Sequence, residues 1–447
     1  MLTGIVIRRA SRTTHLLALA SYAAALAAGV SSGVAEEPVW DVGPGQPGMN
    51  DRINVLYAGD EASPTGSALI AGGMFTSAGG ADIADIALWD GSAWQPLGED
   101  QSFGDVFSIS PFQGDLYIAA LLGPPPSLWR WNGESWTPIN DAPNSWLSAL
   151  AVYDAGDGPE LYVSGGFVFE ASDGWTDYIV RWDGTTWYTA GDLASAAYQM
   201  LVWDDGGGPD LYGAGIMGVM LEGGGTCNGI ARWDGSEWSP LGGCLNHIGN
   251  ALAVFDDGAG EALYVGGNFT IAGHVSARHV AKWDGADWSP LADGVNGEVF
   301  ALAVFDDGSG PALYVGGEFS EAGGVEAQNI ARWDGLSWSA LGEGANDIVR
   351  ALAPIGEEAG GPALAVAGDF TMIGGQLANR IAFLRPASSD MPGDVDGDGE
   401  VDTSDLLLLL AAWGDCPDPP ADCPADFNAD DRVDTADLLI LLANWAG

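Results

Sequence analysis

Positive charge is what this chain has least of. Its 447 residues hold 14 Lys and Arg against 62 Asp and Glu, a net charge of −48, and Lys282 is the only lysine. Such a surface repels phosphate backbones, which argues against nucleic-acid binding, and it disfavours docking on anionic membranes. It favours solubility and the attraction of cations. Histidine is almost as scarce: His15, His247, His274 and His279 are all there is. Beyond residue 35 no G-x-S-x-G elbow, phosphate-binding P-loop or H-E-x-x-H motif occurs. Long apolar runs are lacking too. The one candidate, Leu16 to Val30, follows Arg8, Arg9 and Arg12 and leads to small residues ending at Ala35. It is shorter than the ~20 residues a membrane span needs. It reads as a secretory signal over residues 1–35. Cysteine is limited to four residues, an even number, so an exported chain is expected to carry disulfides Cys227–Cys244 and Cys416–Cys423. Zinc at the second pair is disfavoured because the histidines lie far away.

Glycine and tryptophan are abundant, at 67 and 19 residues, a mix suited to tight turns between short strands. The motif Trp-Asp-Gly-x-x-Trp starts at Trp89, Trp182, Trp233, Trp283 and Trp333, with a variant at Trp131 and a degenerate copy at Phe383. Successive spacings are 42, 51, 51, 50, 50 and 50 residues. A fixed period of this length marks an array of like units. The unit from Ala301 reads as four strands, ALAVF, ALYVGGEF, NIARW and WSALG, joined by turns and one longer loop. Asp-Gly turns supply the φ > 0 position that tight hairpins require. Four-stranded units around an axis make a β-propeller, and seven copies predict seven blades over residues 36–384. The seventh copy lacks its last strand. EPVWDVGPG around Trp40 resembles SWSALGEG around Trp338, so the N-terminal strand is expected to complete that blade. Closure matters because an open sheet edge invites aggregation.

The strand LYVGGEF, from Leu313 to Phe319, ends in a glycine pair and an aromatic and is followed by a WDG segment and Trp338. In this it resembles the kelch and galactose-oxidase group of propellers. The copper ligands of galactose oxidase find no counterpart to carry over. The paired tryptophans recur in most blades, which points to packing rather than to a site. The FDDG turns at Asp256, Asp257, Asp306 and Asp307 read as hairpin turns in a charged rim. No acidic pair is singled out for glycoside hydrolysis. Cys227 and Cys244 flank the Trp233/Trp238 hairpin symmetrically, so a regular hairpin sets them opposite each other; a bulge at Asn228-Gly229 would shift that register.

After the linker (385–393) the composition changes. DVDGDGEVDTSD runs from Asp394 to Asp405 and DFNADDRVDTAD from Asp426 to Asp437, each with the twelve-residue spacing of oxygen-ligand calcium loops. In the first loop Asp394, Asp396, Asp398, Asp402 and Asp405 offer side-chain oxygens and Glu400 its main-chain carbonyl. In the second, Asp426, Asn428, Asp430, Asp434 and Asp437 correspond, with Arg432 giving the carbonyl. A leucine-rich helix follows each loop, and the two 21-residue segments from Asp394 and Asp426 share 12 identities. This duplicated loop and helix resembles a dockerin type I module, spanning 394–447. The resemblance implies two Ca²⁺ ions and a cohesin-like partner, commonly in polysaccharide-degrading complexes. It places the partner contact at Thr403, Ser404, Thr435 and Ala436. The departures are Asp431 at the usual loop glycine and Ala436 beside Ser404. The reading is therefore a secreted, non-catalytic binding protein: an all-β, seven-bladed propeller as recognition surface and a small α-helical calcium-dependent connector. A polysaccharide hydrolase or lyase on the propeller, or an adhesion protein, are the alternatives.

Overall fold

The computed structural model describes residues 38–42, 48–59, 63–98, 102–121, 127–220, 226–356, 362–386, 395, 401, 403–416, 423, 425–427 and 432–443. The expected signal segment 1–35 lies outside them. Seven four-stranded antiparallel sheets form a seven-bladed β-propeller. Blade 6 shows the repeat: Glu298–Asp306, Pro311–Glu318, Ile330–Trp333 and Trp338–Ala340, paired in that order. The first turn works as the sequence suggests. Asp306 Oδ1 accepts the N–H groups of Gly308 and Gly310 at 3.0 and 2.9 Å. Asp307 instead turns inward to accept from Tyr314 Oη at 2.7 Å. The glycine pair lets blades approach. A Cβ on Gly316 would sit 2.5 Å from Val349 Cγ1 of blade 7, and one on Gly266 2.3 Å from Val299 Cγ1 of blade 6.

Blade 7 consists of Val349–Ile355, Ala363–Gly368 and Ile381–Arg385, with Val39–Asp41 as its outer strand. Trp40 pairs with Leu384 and Asp41 with Phe383, so the N-terminal strand closes the ring as expected. In blades 2, 4, 5 and 6 the second tryptophan of the repeat acts as a latch between blades. The indole N–H of Trp288 donates to Leu241 O at 2.9 Å, that of Trp338 to Leu291 O at 3.0 Å, and that of Trp238 to Ala190 O at 2.7 Å. Trp40 repeats the bond to Leu341 O at 3.4 Å, although 301 residues of chain separate the partners. The first tryptophan of the motif packs on the second, at 5.2 Å between ring centroids for Trp283 and Trp288.

The scarce cations are spent inside the blades. In blades 2 to 6 the residue before the leading tryptophan is basic, and Arg181 pairs with Glu160, Arg232 with Asp205, Lys282 with Asp257 and Arg332 with Asp307. A tyrosine of the neighbouring strand lies opposite each: Tyr162, Tyr212, Tyr264 and Tyr314. Burial pushes Tyr162 up to about 12. The sequence reads as a plain loop at EAGGVEAQ in blade 6 and at its counterpart in blade 5, and blade 7 has an equivalent segment. Each instead holds a two-residue hairpin, as at Glu321–Ala322 with Val325–Glu326.

The aspartate of each Trp-Asp-Gly turn folds its carboxylate over the turn. Asp234 Oδ1 accepts from the N–H groups of Ser236 and Glu237, and Asp284 Oδ1 from Ala286 and Asp287. These bonds favour the ionised form. Asp90 is held at about 2, first by the Ala93 N–H and then by the Ser92 hydroxyl. Asp234 and Asp284 are lowered as well, first by Glu237 N–H and Asp287 N–H respectively. A carboxyl lowered in the folded state stabilises fully above its unfolded value and loses that contribution as pH falls through the folded one. Propeller stability should therefore be level near neutrality and decline from about pH 4 towards about pH 2, read as the thermal midpoint across a pH series. Asp234→Asn should shrink the decline.

Cys227 and Cys244 form the expected disulfide, with Cα atoms 5.0 Å apart. The hairpin register changes on the way: Trp233 pairs with Trp238, but Asn228 pairs with Leu245. Gly229, at φ 93°, absorbs the slip. The bridge thus joins residues diagonal to each other rather than opposite. Replacing both cysteines by serine should cost about 3 kcal/mol for a closed loop of this length, measured by denaturant unfolding.

Candidate functional site

The C-terminal segment contains two helices, α1 (Thr403–Ala411) and α2 (Thr435–Ala443). The helical start at each threonine has a local cause. Asp434 precedes α2, and its Oδ1 accepts the N–H of Ala436 at 2.8 Å, the bond of an N-cap. Asp405 and Asp437 lie in the first turns, where a negative charge meets the positive end of the helix dipole.

These two aspartates are the twelfth residues of the two loops, and both are fully buried. Asp405 Oδ1 accepts the N–H of Val395 at 2.6 Å, and Asp437 Oδ1 accepts the N–H of Phe427 at 2.9 Å. Each loop is thereby tied from its last residue to its second. Asp437 Oδ2 also accepts the N–H of Asp434 at 2.8 Å. Residues 32 apart play equal parts throughout: Val401 and Val433, and Leu409 and Leu441, form the buried core, joined by Ala425. The short strands Gly414–Asp415 and Arg432–Val433 pair antiparallel. Cys416 and Cys423 form a disulfide with Cα atoms 5.8 Å apart. Asp426 donates its N–H to Cys423 O at 3.0 Å, so the disulfide abuts the first residue of loop two.

Of the expected calcium ligands, Asp394, Asp396, Asp398, Glu400, Asp402, Asn428 and Asp430 lie outside the described residues, as do Gly399 and Asp431. Asp405, Asp426, Arg432, Asp434 and Asp437 lie inside them. The expected partner contacts Thr403, Thr435 and Ala436 are exposed at the helix starts, and Ser404 falls within α1. Sequence reading missed a larger surface. Leu407, Leu410, Leu439 and Leu442 are 63, 50, 67 and 50 % exposed, and Trp413 is 44 % exposed. The signal was present in LLLLL and LLILL, which hold more leucine than one helix face can bury.

In the propeller, His279 sits on a strand start with Nδ1 3.2 Å from Gly267 O, and burial lowers its pKa. Among the described residues, no three His, Cys, Asp or Glu converge on a metal-sized point. No helix among them is long and apolar enough to cross a membrane.

Residues 392–444 match the family model for the dockerin type I domain. The C-terminal segment is such a domain, and a dockerin implies a cohesin partner and, in general, bound calcium. No curated protein matches the chain. Two solved structures are similar in part. The computationally designed Ika8 protein is 14 % identical, with 76 % of this chain and 99 % of that one covered, at a TM-score of 0.40. The extracellular domain of the hybrid two component system BT4673 from B. thetaiotaomicron is 12 % identical, with 81 % and 42 % covered, at a TM-score of 0.49. Neither likeness bears on function.

Proposed function

We propose that this is a secreted recognition protein, led out by residues 1–35, in which a kelch-like propeller binds a polysaccharide target and the dockerin couples it through calcium to a cohesin-type partner. The observation that carries the connector is the pair of buried carboxylates, Asp405 and Asp437, each tied back to the second residue of its own loop. Burying a carboxylate is costly unless bonds and opposite charge compensate it. Backbone N–H groups supply the bonds, and Ca²⁺ supplies charge. The ion would be held by Asp394, Asp396, Asp398, Asp402, Asp405 and the Glu400 carbonyl in loop one. In loop two it would be held by Asp426, Asn428, Asp430, Asp434, Asp437 and the Arg432 carbonyl. These are hard oxygen donors, which suit a hard cation.

The partner would dock on the helix starts at Thr403, Ser404, Thr435 and Ala436, continued by the exposed leucines. An uncovered apolar patch of this kind on a small domain marks an interaction surface. The test is capture of the full chain by an immobilised type I cohesin with calcium and with chelator. Calcium-dependent capture, weakened at least tenfold by Leu439→Ser, supports the connector. Capture that ignores chelator, or no capture by any cohesin tried, rejects it.

A further inference from the structure

All seven blades carry a β-bulge at one place, near the start of the innermost strand. The register against the second strand slips between Ile53 and Val55 in blade 1, between Val106 and Ser108 in blade 2, and between Leu147 and Ala149 in blade 3. It slips equally at Ala197/Gln199, Gly249/Ala251, Val299/Ala301 and Val349/Ala351 in the remaining blades. The residues before the slip are buried in every blade. The bulged residue itself is half-buried in six blades of seven, Ser148 being the buried one. Bulges re-aim side chains and gather next to binding sites.

The backbone repeats at this position, but the side chains do not. Blades 1, 3 and 5 carry Asn54, Ser148 and Asn250. Each of these side chains donates to the next blade, to Val106 O at 3.2 Å, Ala197 O at 2.5 Å and Val299 O at 2.9 Å. Blades 2, 4 and 6 carry Phe107, Tyr198 and Phe300. Blade 7 carries Arg350, whose guanidinium lies 5.6 Å from the Phe300 ring centroid and pairs with Asp369. Packing that repeats would hold the residue type constant, as it does for the latch tryptophans. Here the type changes from blade to blade while the geometry holds, which is what an asymmetric ligand requires.

The same end of the blades gathers backbone strain. A non-glycine residue at positive φ immediately precedes the third strand in blades 1, 5, 6 and 7, Asp85 at 64°, His279 at 65°, Asn329 at 61° and Arg380 at 76°, and in blade 3 Tyr178, at 68°, lies within it. Strain of this kind concentrates at functional sites. On this end, too, the second strands of blades 3 and 4, Pro159–Ala171 and Pro209–Met220, and the third strands that pair with them, Gly174–Trp182 and Thr226–Trp233, run past the usual length. The extension leaves Val168, Trp175 and Met220 exposed by 67, 65 and 64 %.

We infer that this end of the propeller is a binding face for a neutral glycan chain, centred on Trp146, Tyr198, Asn250, Glu298, Phe300 and Arg350. This rests on the reading of the propeller as a recognition surface and says where and for what. The chemistry is that of a polyol with flat apolar faces. Half-buried rings offer stacking surfaces, with Trp146 and Tyr198 paired at 5.9 Å. Planar polar groups are fixed beside them: Glu298 Oε1 accepts from Asn250 at 2.9 Å and Oε2 from Asn268 at 3.3 Å, which leaves further lone pairs for hydroxyls. A net charge of −48 disfavours an acidic polymer.

The test uses the full chain with calcium and three neutral probes, cellohexaose, xylohexaose and mannohexaose, with polygalacturonate as acidic control, followed by titration calorimetry. At least one neutral hexasaccharide should bind, and polygalacturonate should not. Tyr198→Ala should weaken binding at least tenfold with an unchanged thermal midpoint, and Tyr198→Phe should keep most of it, because the stacking face remains. If no neutral probe binds, if the acidic polymer binds as well, or if Tyr198→Ala leaves affinity unchanged, the inference falls. Should Tyr198→Ala misfold, Asn250→Ala takes its place with the same outcomes. Cohesin capture is scored in parallel, so a failure of the glycan face is distinguishable from a failure of the connector. A face that binds the immobilised cohesin itself, seen as capture lost on Tyr198→Ala, also overturns the glycan assignment.

Discussion

Chelating calcium from the full chain is expected to unfold the C-terminal domain while leaving the propeller intact. Six acids fall within the first twelve-residue loop and five, beside Asn428, within the second, and without a cation their repulsion opposes the folded form. The core they must hold together is small: Val401, Leu409, Ala425, Val433 and Leu441 are its fully buried members. A ligand that binds only the folded state adds about 2.7 kcal/mol per site at a hundred times its dissociation constant. Two sites would add about 5 kcal/mol, comparable to the whole stability of a small domain. Hydrogen exchange reads this directly. Backbone amides of α1 and α2 should exchange about a hundredfold faster for each site emptied, with the blade strands unchanged. Equal protection in chelator and in calcium would refute the coupling. The loops should also differ. Loop one has Gly399 at the sharp turn, where glycine costs least. Loop two has Asp431 there and Asn428 in place of a charge. Asp394→Ala should therefore cost more affinity than Asp426→Ala, and equal losses would refute that ranking.

Why so much of this could be read from sequence is a matter of period. Trp-Asp-Gly-x-x-Trp repeats because each copy makes a capped turn and a ring pair, and most copies add a latch bond. A residue fixed by packing in one blade is fixed in all, so the repeat is visible. The ring closure followed from the same logic, since the missing seventh tryptophan strand had one candidate, at Trp40. The slip at Gly229 stood open beside the regular register, because it depends on how two strands pair, not on either strand alone. What stayed hidden obeys no period. The two-residue hairpins, such as Ile271–Ala272 with Val275–Ser276, are too short to show alternation. The seven bulges were hidden for the opposite reason: their backbone repeats while their side chains diverge. Comparison of the copies therefore shows scattered mismatches at Asn54, Phe107 and Tyr198 where the structure shows one ring. In the calcium domain the spacing of acids was legible, but which leucines of each helix are buried was not. Burial shows that Leu409 and Leu441 are anchors and Leu407 and Leu439 are not.

Trp40→Ala should be among the most damaging single changes in the propeller, although it lies in a three-residue strand near the start of the chain. Its ring is buried, at 8 % exposed, in the core shared by blades 6 and 7 with Phe305, Tyr314 and Leu364. It lies so close over Gly374 that a Cβ there would meet Trp40 Cδ1 at 2.2 Å. Its indole bond to Leu341 O would be lost with it, leaving a carbonyl to be satisfied otherwise. Truncating a buried tryptophan costs about 3–5 kcal/mol. Trp288→Ala, at an equivalent latch, should cost a similar amount, because closure by the N-terminal strand uses the same contacts as any interior junction. Val39→Ser tests the alternative that the strand matters only as backbone. Val39 is 55 % exposed, so that change should stay within about 0.5 kcal/mol. Deleting residues 38–42 goes further, because it also bares the hydrogen-bonding edge of Ile381–Arg385. That variant should self-associate through the open edge, visible as a higher-mass species in light scattering. Denaturant unfolding of the four variants decides the matter. If Trp40→Ala unfolds within 0.5 kcal/mol of the parent while Trp288→Ala does not, the N-terminal strand is an ornament on blade 7 and not the clasp of the ring.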